Sequence, residues 1–254
     1  MYNDLNNKKV LVTGSSTGIG LEIAKSFSEA GSIVAINGRN INNLKKAAKR
    51  IYNSKIIYGN VENPKIAKKI VTKAALLLGG IDIIICNVGS GLRHVAGKEN
   101  YNDWQASMKK NLFSTTNIVE ASKKYLSKSK GNIICISSIC GSEYINGAPI
   151  TYSVAKSALN SYVRISSQVL GKDQIRVNAV APGDIFFKGS SWEQKLKKNK
   201  KKIKKHLNSN VALKKFGNPK SIADICLLLA SEKSHFVTGS IWIADGGQIK
   251  NLNY

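Results

Sequence analysis

Residues 10–20 read VLVTGSSTGIG, and this stretch decides the fold. An aliphatic run leads into a glycine-rich loop, and a segment with helical spacing of apolar residues begins inside that loop. Gly14 permits a tight turn, Gly18 lets the backbone approach a diphosphate, and Gly20 lets the helix pack closely on the strand. The helix start offers free N–H groups and a positive dipole end to an anion. The residues predicted to contact a dinucleotide here are Gly14, Ser15, Ser16, Thr17, Gly18, Ile19 and Gly20.

The alternation of strand and helix patterns continues along the chain. Because the strand-like runs are nearly continuous in apolar residues, helices must cover both faces of the sheet. This predicts an α/β fold with a single domain over residues 1–254: a Rossmann-type, doubly wound parallel sheet of about seven strands with helices on both faces. The predicted strands are Lys9–Val12, Ile33–Ile36, Lys55–Tyr58, Ile81–Cys86, Ile133–Ser137, Ile175–Val180 and Ser240–Ile243.

One segment, residues 184–216, has no strand pattern. It lies between the last two predicted strands, at the carboxyl edge of the sheet, so we expect it to act as a lid. The aromatic residues Phe186, Phe187 and Trp192 either line a pocket for an apolar substrate or pack the lid itself. A lysine-rich helix with a thin apolar stripe is predicted after them. Its lysines are Lys195, Lys197, Lys198, Lys200, Lys201, Lys202, Lys204 and Lys205.

The formal net charge of +24 comes from 34 Lys and only 5 Arg, in a chain that also has 25 Asn. Lys and Asn have A/T-rich codons, and surfaces that read nucleic acid favour Arg, so we attribute the charge mainly to genome composition and expect no nucleic-acid partner. The four cysteines lack metal-ligand spacing, which predicts free thiols and no metal. No apolar run is long enough to span a membrane, and the N-terminus lacks a secretory segment, so we expect a cytoplasmic protein.

Further short motifs follow the glycine turn in order. With the spacing Gly-x-x-x-Gly-x-Gly after a threonine, they make the chain resemble the short-chain dehydrogenase/reductase family over about residues 8–248. The motifs are Asn87 and Gly89 after the fourth strand, Asn111 in the next helix, Ser137-Ser138 after the fifth strand, Tyr152-Ser153-Val154-Ala155-Lys156, Pro182-Gly183, Thr238-Gly239 and Asp245-Gly246-Gly247.

A candidate catalytic group lies within these motifs. Tyr152 and Lys156 share one helix face, and a nearby ammonium favours a phenolate, so we expect the pair to exchange a proton near neutral pH. The resemblance implies that Ser138 orients a substrate carbonyl and that Tyr152 gives or takes the proton. It implies that Lys156 lowers the pKa of the tyrosine and binds the nicotinamide ribose, and that Asn111 holds a water that relays protons. Ser137 is the alternative serine.

The resemblance also implies a nicotinamide cofactor. Relatives that use NAD place an acidic residue at the end of the second strand; here that position is Gly38, and Arg39 follows it. A guanidinium can bind a 2′-phosphate, so we expect NADP(H) to be preferred, with NAD(H) possible. The other residues implied at the cofactor are Asn60, Val61, Asn87, Gly89, Tyr152, Lys156, Pro182, Gly183 and Ile185.

Four positions depart from the family pattern. Cys86 and Val88 stand where Asn and Ala are usual, Asn60 replaces a common aspartate, and Phe187 replaces a frequent threonine. Arg93 and His94 follow Gly89 and either face an anionic substrate group or lie in a solvated loop.

The leading hypothesis is an NADP(H)-dependent oxidoreductase acting on a carbonyl or secondary alcohol, with 3-oxoacyl thioesters linked to a carrier protein or coenzyme A as one candidate. The lysine-rich lid would attract such anionic substrates; a solvated helix face is the alternative. The resemblance implies a homotetramer. A catalytically idle dinucleotide- or RNA-binding protein remains the competing function.

Overall fold

The computed structural model describes residues 2–91 and 94–250. In this part of the chain the apolar runs form one sheet in the order β3-β2-β1-β4-β5-β6-β7, with all neighbouring strands parallel. Every predicted strand is present, and the strand ends lie within two residues of the prediction. The strands are β1 (Lys9–Val12), β2 (Ile33–Gly38), β3 (Lys55–Tyr58), β4 (Ile83–Cys86), β5 (Asn132–Ile136), β6 (Arg176–Pro182) and β7 (Ile241–Ala244).

Helices cover both faces of this sheet, as predicted. Residues of α1, α2 and α9 form one buried apolar layer with the sheet, and residues of α3, α5 and α6 form the other. Two buried faces explain why the strands lack polar alternation. The helices are α1 (Gly18–Glu29), α2 (Ile41–Ala48), α3 (Pro64–Leu78), α4 (Tyr101–Met108), α5 (Ser114–Ser129), α6 (Ile150–Leu170), α7 (Ser191–Lys198), α8 (Lys200–Asn210) and α9 (Pro219–Ala230).

The strand order creates a crevice at one edge of the sheet. From β1 the chain builds outward to β3 and then crosses back to add β4 on the other side of β1. The loops after β1 and β4 therefore diverge at their carboxyl ends, where open α/β sheets bind ligands. The predicted glycine turn, Asn87, Ser138 and Gly183 all follow strands at this edge.

The predicted lid contains two helices, α7 and α8, so the prediction of a single lysine-rich helix is wrong. The break falls at Asn199, where the backbone is not helical (φ −156°, ψ 87°) and the side-chain oxygen accepts a hydrogen bond of 2.9 Å from the N–H of Lys202. Asparagine is a strong N-cap because its short side chain can replace a helical carbonyl as acceptor. It therefore starts a new helix within a run of helix-forming lysines.

Candidate active site

The glycine-rich turn joins β1 to α1 and presents the start of that helix to the crevice. Gly18 is the first residue of α1 and has a φ of +59°, a conformation that favours glycine. The Thr17 side chain does not cap α1, so the first N–H groups of the helix remain available to an anion. Residue 20 must be glycine because its backbone lies close to Asn87: a Cβ at this position would lie 2.4 Å from Asn87 Nδ2.

Two cavities meet at this turn. The first, the Ser138 cavity, has a volume of about 300 Å³, and the second, the Arg39 cavity, about 320 Å³. The Ser138 cavity is lined by Gly14, Thr17, Gly18, Ile19, Gly20, Asn87, Gly89, Ile136, Ser137, Ser138, Tyr152, Lys156, Pro182, Gly183, Ile185, Phe187 and Trp192. The Arg39 cavity is lined by Gly14, Ser16, Thr17, Asn37, Gly38, Arg39, Gly59, Asn60, Val61, Asn87, Val88, Gly89, Ser90 and Lys110.

The predicted cofactor residues divide between these cavities, with one exception. Ser15 is fully buried beneath the turn; its hydroxyl donates to the Val12 carbonyl at 2.8 Å and accepts from the Asn37 N–H at 3.0 Å. Its side chain thus holds the turn on the sheet and lines neither cavity. Two joined cavities around an uncapped helix start fit a dinucleotide, whose two halves flank a diphosphate.

Ser138, Tyr152 and Lys156 come together in the Ser138 cavity. Ser138 follows β5, Tyr152 lies in the first turn of α6, and the Ser138 hydroxyl is close enough to the Tyr152 phenol to act on its pKa. Lys156 is one turn further along α6, and its ammonium lies 5.9 Å from the centre of the Tyr152 ring. It donates a hydrogen bond of 2.8 Å to the carbonyl of Ile136. A phenol and a second hydroxyl therefore face one side of the cavity.

Burial dominates the protonation of this pair. It raises the pKa of Tyr152 to about 12, although the nearby Ser138 hydroxyl opposes the shift. Burial also lowers the pKa of Lys156 to about 8, which the thiols of Cys135 and Cys140 oppose. The expected lowering of the tyrosine pKa by Lys156 is not found, because the ammonium is directed to the Ile136 carbonyl. In this state Tyr152 is a neutral phenol at physiological pH and can donate a proton.

Asn111 lies beside this group, in a π-helical turn, Lys109–Phe113, between α4 and α5. Its side chain accepts from the Ser90 N–H at 2.8 Å and donates to the carbonyls of Ser90 and Ser107 at 3.0 and 3.1 Å. Both polar ends of the amide are thus used to hold the chain after β4. π-Helical turns are frequent at functional sites. The water relay that the resemblance implies stays a prediction.

The aromatic residues before the lid helices take different places. Phe187 lies against Gly18, since a Cβ there would be 2.6 Å from its ring. Trp192 also lines the Ser138 cavity, and its ring stacks on His206 with centroids 5.1 Å apart. Phe186 packs on Phe216 instead, 5.6 Å away. The pocket interpretation holds for Phe187 and Trp192, whereas Phe186 packs the lid itself.

A short side-chain contact between His206 and Asp184 anchors α8 next to the cavity. His206 Nε2 lies 2.7 Å from Oδ2 of Asp184, the residue that follows Pro182-Gly183. His94 has a structural place as well: Nδ1 is 3.3 Å from Thr151 Oγ1, and Nε2 is 3.3 Å from Asp103 Oδ1. It is therefore neither solvated nor a lining residue of the cavities. Arg93 lies outside the described residues.

Sequence reasoning missed several lining residues of the Arg39 cavity. Asn37 sits within β2, and its amide donates to the carbonyls of Ile57 and Gly59 at 3.0 and 3.2 Å. Lys110 comes from the π-helical turn, which is distant in sequence from β2. No local pattern marks Lys110, because the tertiary packing of its helical run brings it beside Arg39.

Comparison with known proteins identifies the family. A family model described as enoyl-(acyl carrier protein) reductase matches residues 14–248. A 3-oxoacyl-(acyl-carrier-protein) reductase of Chlamydia muridarum is 33% identical, with 97% of this chain and 99% of that protein covered. The chain belongs to the short-chain dehydrogenase/reductase family. Isoepoxydon dehydrogenase of Penicillium expansum is 30% identical over 96% of this chain and 95% of that protein. This short-chain dehydrogenase/reductase also resembles the crystal structure of L-sorbose reductase from Gluconobacter frateurii, complexed with NADPH and L-sorbose. The TM-score is 0.92 at 26% identity, with 99% of this chain and 100% of that chain covered.

Membership of the short-chain dehydrogenase/reductase family makes this protein an oxidoreductase that transfers hydride between a nicotinamide cofactor and a small-molecule substrate. The strand order, the glycine turn and the grouping of Ser138, Tyr152 and Lys156 agree with that family. Within residues 2–91 and 94–250, no helix has the length and apolar character needed to cross a membrane.

Proposed function

We propose that the protein is an NADPH-dependent carbonyl reductase in which Tyr152 donates the proton. The observation that carries the proposal is that the Tyr152 and Ser138 hydroxyls lie on the wall of one cavity together with Lys156. A carbonyl oxygen that accepts from both hydroxyls is oriented and polarised at the same time. When bound, the nicotinamide supplies the hydride in this direction.

Each residue of the group has a defined task in this proposal. Tyr152 is neutral, because burial raises its pKa to about 12, so it is ready to give its proton to a developing alkoxide. Lys156 lies one turn further along α6, where its ammonium would bind the ribose hydroxyls of the cofactor. The Ile136 carbonyl fixes the position of that ammonium. The aromatic rings of Phe187 and Trp192 limit the access of water.

Tyr152→Phe tests the proton donor. Removing the hydroxyl should lower turnover by about 10²- to 10⁴-fold, the usual contribution of a general acid, while cofactor affinity stays within about twofold. NADPH oxidation and cofactor fluorescence measure the two quantities. Turnover close to that of the unchanged protein would refute the assignment.

Two neighbouring serines provide a matched comparison. Ser137 also lines the cavity, but its hydroxyl donates to Asn160 Oδ1 at 2.6 Å and is thereby engaged in the structure. The Ser138 hydroxyl oxygen accepts from the Cys140 N–H at 3.2 Å, which leaves its proton available to a substrate. We expect Ser138→Ala to lower turnover by about tenfold or more, and Ser137→Ala to change it less. The reverse order would assign the role to Ser137.

For the substrate, we propose an apolar acyl chain or ring next to the reacting carbonyl, with 3-oxoacyl thioesters as the leading candidate. Two aromatic rings on the lid side of the cavity support an apolar group, and relatives named for 3-oxoacyl-(acyl-carrier-protein) reduction support the thioester. Oxidation of NADPH against ketones, diketones and 3-oxoacyl thioesters tests this. Cofactor binding without turnover on the whole panel would favour the competing function, an idle binding protein.

For the assembly, we propose a homotetramer. The outer face of α6 exposes Val154, Ile165 and Val169, with 44%, 65% and 56% of each residue accessible. The edge strand β7 is also only half-buried along its length. Apolar side chains on an exposed helix and an unpaired sheet edge favour contacts between copies. Sedimentation at micromolar concentration tests the proposal, and a monomer alone would contradict it.

A further inference from the structure

Arg39 is not the only charged residue at the Arg39 cavity. Arg39 Nη1 lies 3.2 Å from Oε1 of Glu62, so a cation and a carboxylate face each other there. Such a pair has no net charge, and its carboxylate repels a phosphate while its guanidinium attracts it. With Glu62 beside it, Arg39 alone attracts a 2′-phosphate only weakly.

A second cation, Lys110, lines the same cavity from a different part of the fold. It lies in the π-helical turn before α5, and α5 is tied to the loop after β3. The tie is Asn117, whose Nδ2 donates to the backbone carbonyls of Val61 and Glu62 at 3.1 and 3.2 Å. The helical run that contains Lys110 is thus fixed against the loop that contains Glu62.

Lys110 is close enough to both charged residues to be affected by them. Burial lowers the pKa of Lys110, the Arg39 charge lowers it further, and the Glu62 charge raises it. Across residues 2–91 and 94–250, no carboxylate oxygen lies within the ion-pair distance of 4.0 Å from the Lys110 amine. Glu62 therefore neutralises Arg39, and Lys110 leaves one positive charge in excess.

We propose that Lys110 is a specificity-determining residue that binds, together with Arg39, the phosphate on the 2′-oxygen of the adenosine ribose. Two cations against one carboxylate attract a phosphate dianion, whereas the Arg39–Glu62 pair by itself does so weakly. The half-buried position of Lys110 strengthens the interaction, since water screens it less than on an open surface. This inference rests on the proposed use of NADPH.

Binding of the two cofactors to Lys110→Met tests the inference without any substrate. Met keeps the length and removes the charge, so we expect the dissociation constant for NADPH to rise by about tenfold or more, the size of a charge-assisted contact. The constant for NADH should stay within about twofold, because NADH has no 2′-phosphate. Lys110→Arg retains the charge and should keep the NADPH constant within about threefold.

Lys109→Met is the matched control. Lys109 precedes Lys110 in the same turn and is exposed, and it does not line the cavity, so the same loss of one charge there should leave both constants within about twofold. Thermal melting checks that each variant is folded; if Lys110→Met is unfolded, Lys110→Gln replaces it in the same measurement.

The outcomes separate this inference from the proposed cofactor. If the wild-type protein binds NADPH and NADH equally tightly, or NADH more tightly, the proposed use of NADPH is overturned and this inference with it. If the unchanged protein prefers NADPH but Lys110→Met keeps that preference, only the role of Lys110 is overturned. An equal rise in the dissociation constants of both cofactors would also overturn the role of Lys110, because it would place Lys110 next to a group that NADPH and NADH have in common.

Discussion

Lys156 is a charged group in an apolar setting, and replacing it should make the fold more stable. Only 2% of the residue is exposed, and burial lowers its pKa from 10.5 to about 8. A difference of that size means that holding the charged form in the folded state costs about 3 kcal/mol relative to the unfolded chain. Lys156→Met removes this term but leaves the Ile136 carbonyl without its donor, which costs about 1 kcal/mol. The net expectation is a gain of about 2 kcal/mol at pH 7.

The gain must depend on pH in a defined direction. Between the folded pKa of about 8 and the ordinary value of 10.5, the unfolded chain binds more protons at Lys156 than the folded protein does. The stability of the unchanged protein therefore rises with pH in this window because of Lys156. The variant lacks the titrating group, so its advantage should be largest below pH 8 and should shrink towards pH 10.5.

Urea unfolding without added cofactor measures the effect at pH 7 and at pH 10. For a chain of this length, 2 kcal/mol corresponds to about 4–8 °C in Tm, so thermal melting gives a second reading. Lys69→Met is the control, because Lys69 is exposed on α3 and its removal changes the net charge equally. The reasoning is refuted if Lys156→Met is no more stable than the wild-type protein at pH 7, or if its free energy of unfolding exceeds that of the wild type by the same amount at both pH values. Turnover should be lost in either case, since the proposed function requires the ammonium.

Three further predictions concern the groups around the site. Burial works to raise the pKa of Glu99, but N–H groups of Ile150 and Gly97 donate to its carboxylate and lower the pKa overall. Glu99→Gln should therefore reduce the stability of α6 at pH values above the unfolded pKa of the Glu99 carboxyl. This loss of stability should disappear as the pH falls through the lower folded pKa. Hydrogen exchange of the α6 amides at pH 7 and pH 3 measures the difference. Phe187→Thr removes the ring from Gly18 and should speed cofactor release by about threefold or more in stopped-flow measurements, whereas an unchanged rate would mean that the ring does not retain the cofactor. Changing Lys200, Lys201, Lys204 and Lys205 together to Gln should lower kcat/KM for anionic thioesters at low salt and leave kcat/KM for neutral ketones unchanged. An equal change in kcat/KM for both kinds of substrate would exclude electrostatic steering.

The sequence predicts the sheet well because each strand has one strong local signal. Runs such as Ile83–Cys86 and Asn132–Ile136 are buried on both faces, so their apolar character does not depend on distant contacts. The edge strand β7 is half-buried throughout, yet its β-branched residues and the glycines around it still mark its place. The remaining errors are shifts of one or two residues at strand ends, where hydrogen bonding to the neighbouring strand sets the limit.

The candidate site is predictable where a motif combines residue type with spacing. The helical spacing of Tyr152 and Lys156 gives their shared position in the fold, but their pKa values follow from burial, which spacing does not encode. Ser15 shows the same limit, because the motif includes it while its side chain turns under the loop. Lys110 has no motif, and only the packing of α5 against the loop after β3 brings it to Arg39.

Helix α8 shows how a lysine-rich helix can be supported by contacts that do not involve its lysine side chains. Lysines crowd the first turns of α8, where repulsion between them and the positive end of the helix dipole both oppose the helix. Three other contacts support it: the Asn199 cap, the buried side chain of Ile203, and the 2.7 Å contact of His206 with Asp184. None of these involves a lysine side chain, so the ammonium groups of α8 remain in solvent. Their repulsion opposes the helix, and we expect any attraction of anionic substrates by the same charges to weaken as salt is added.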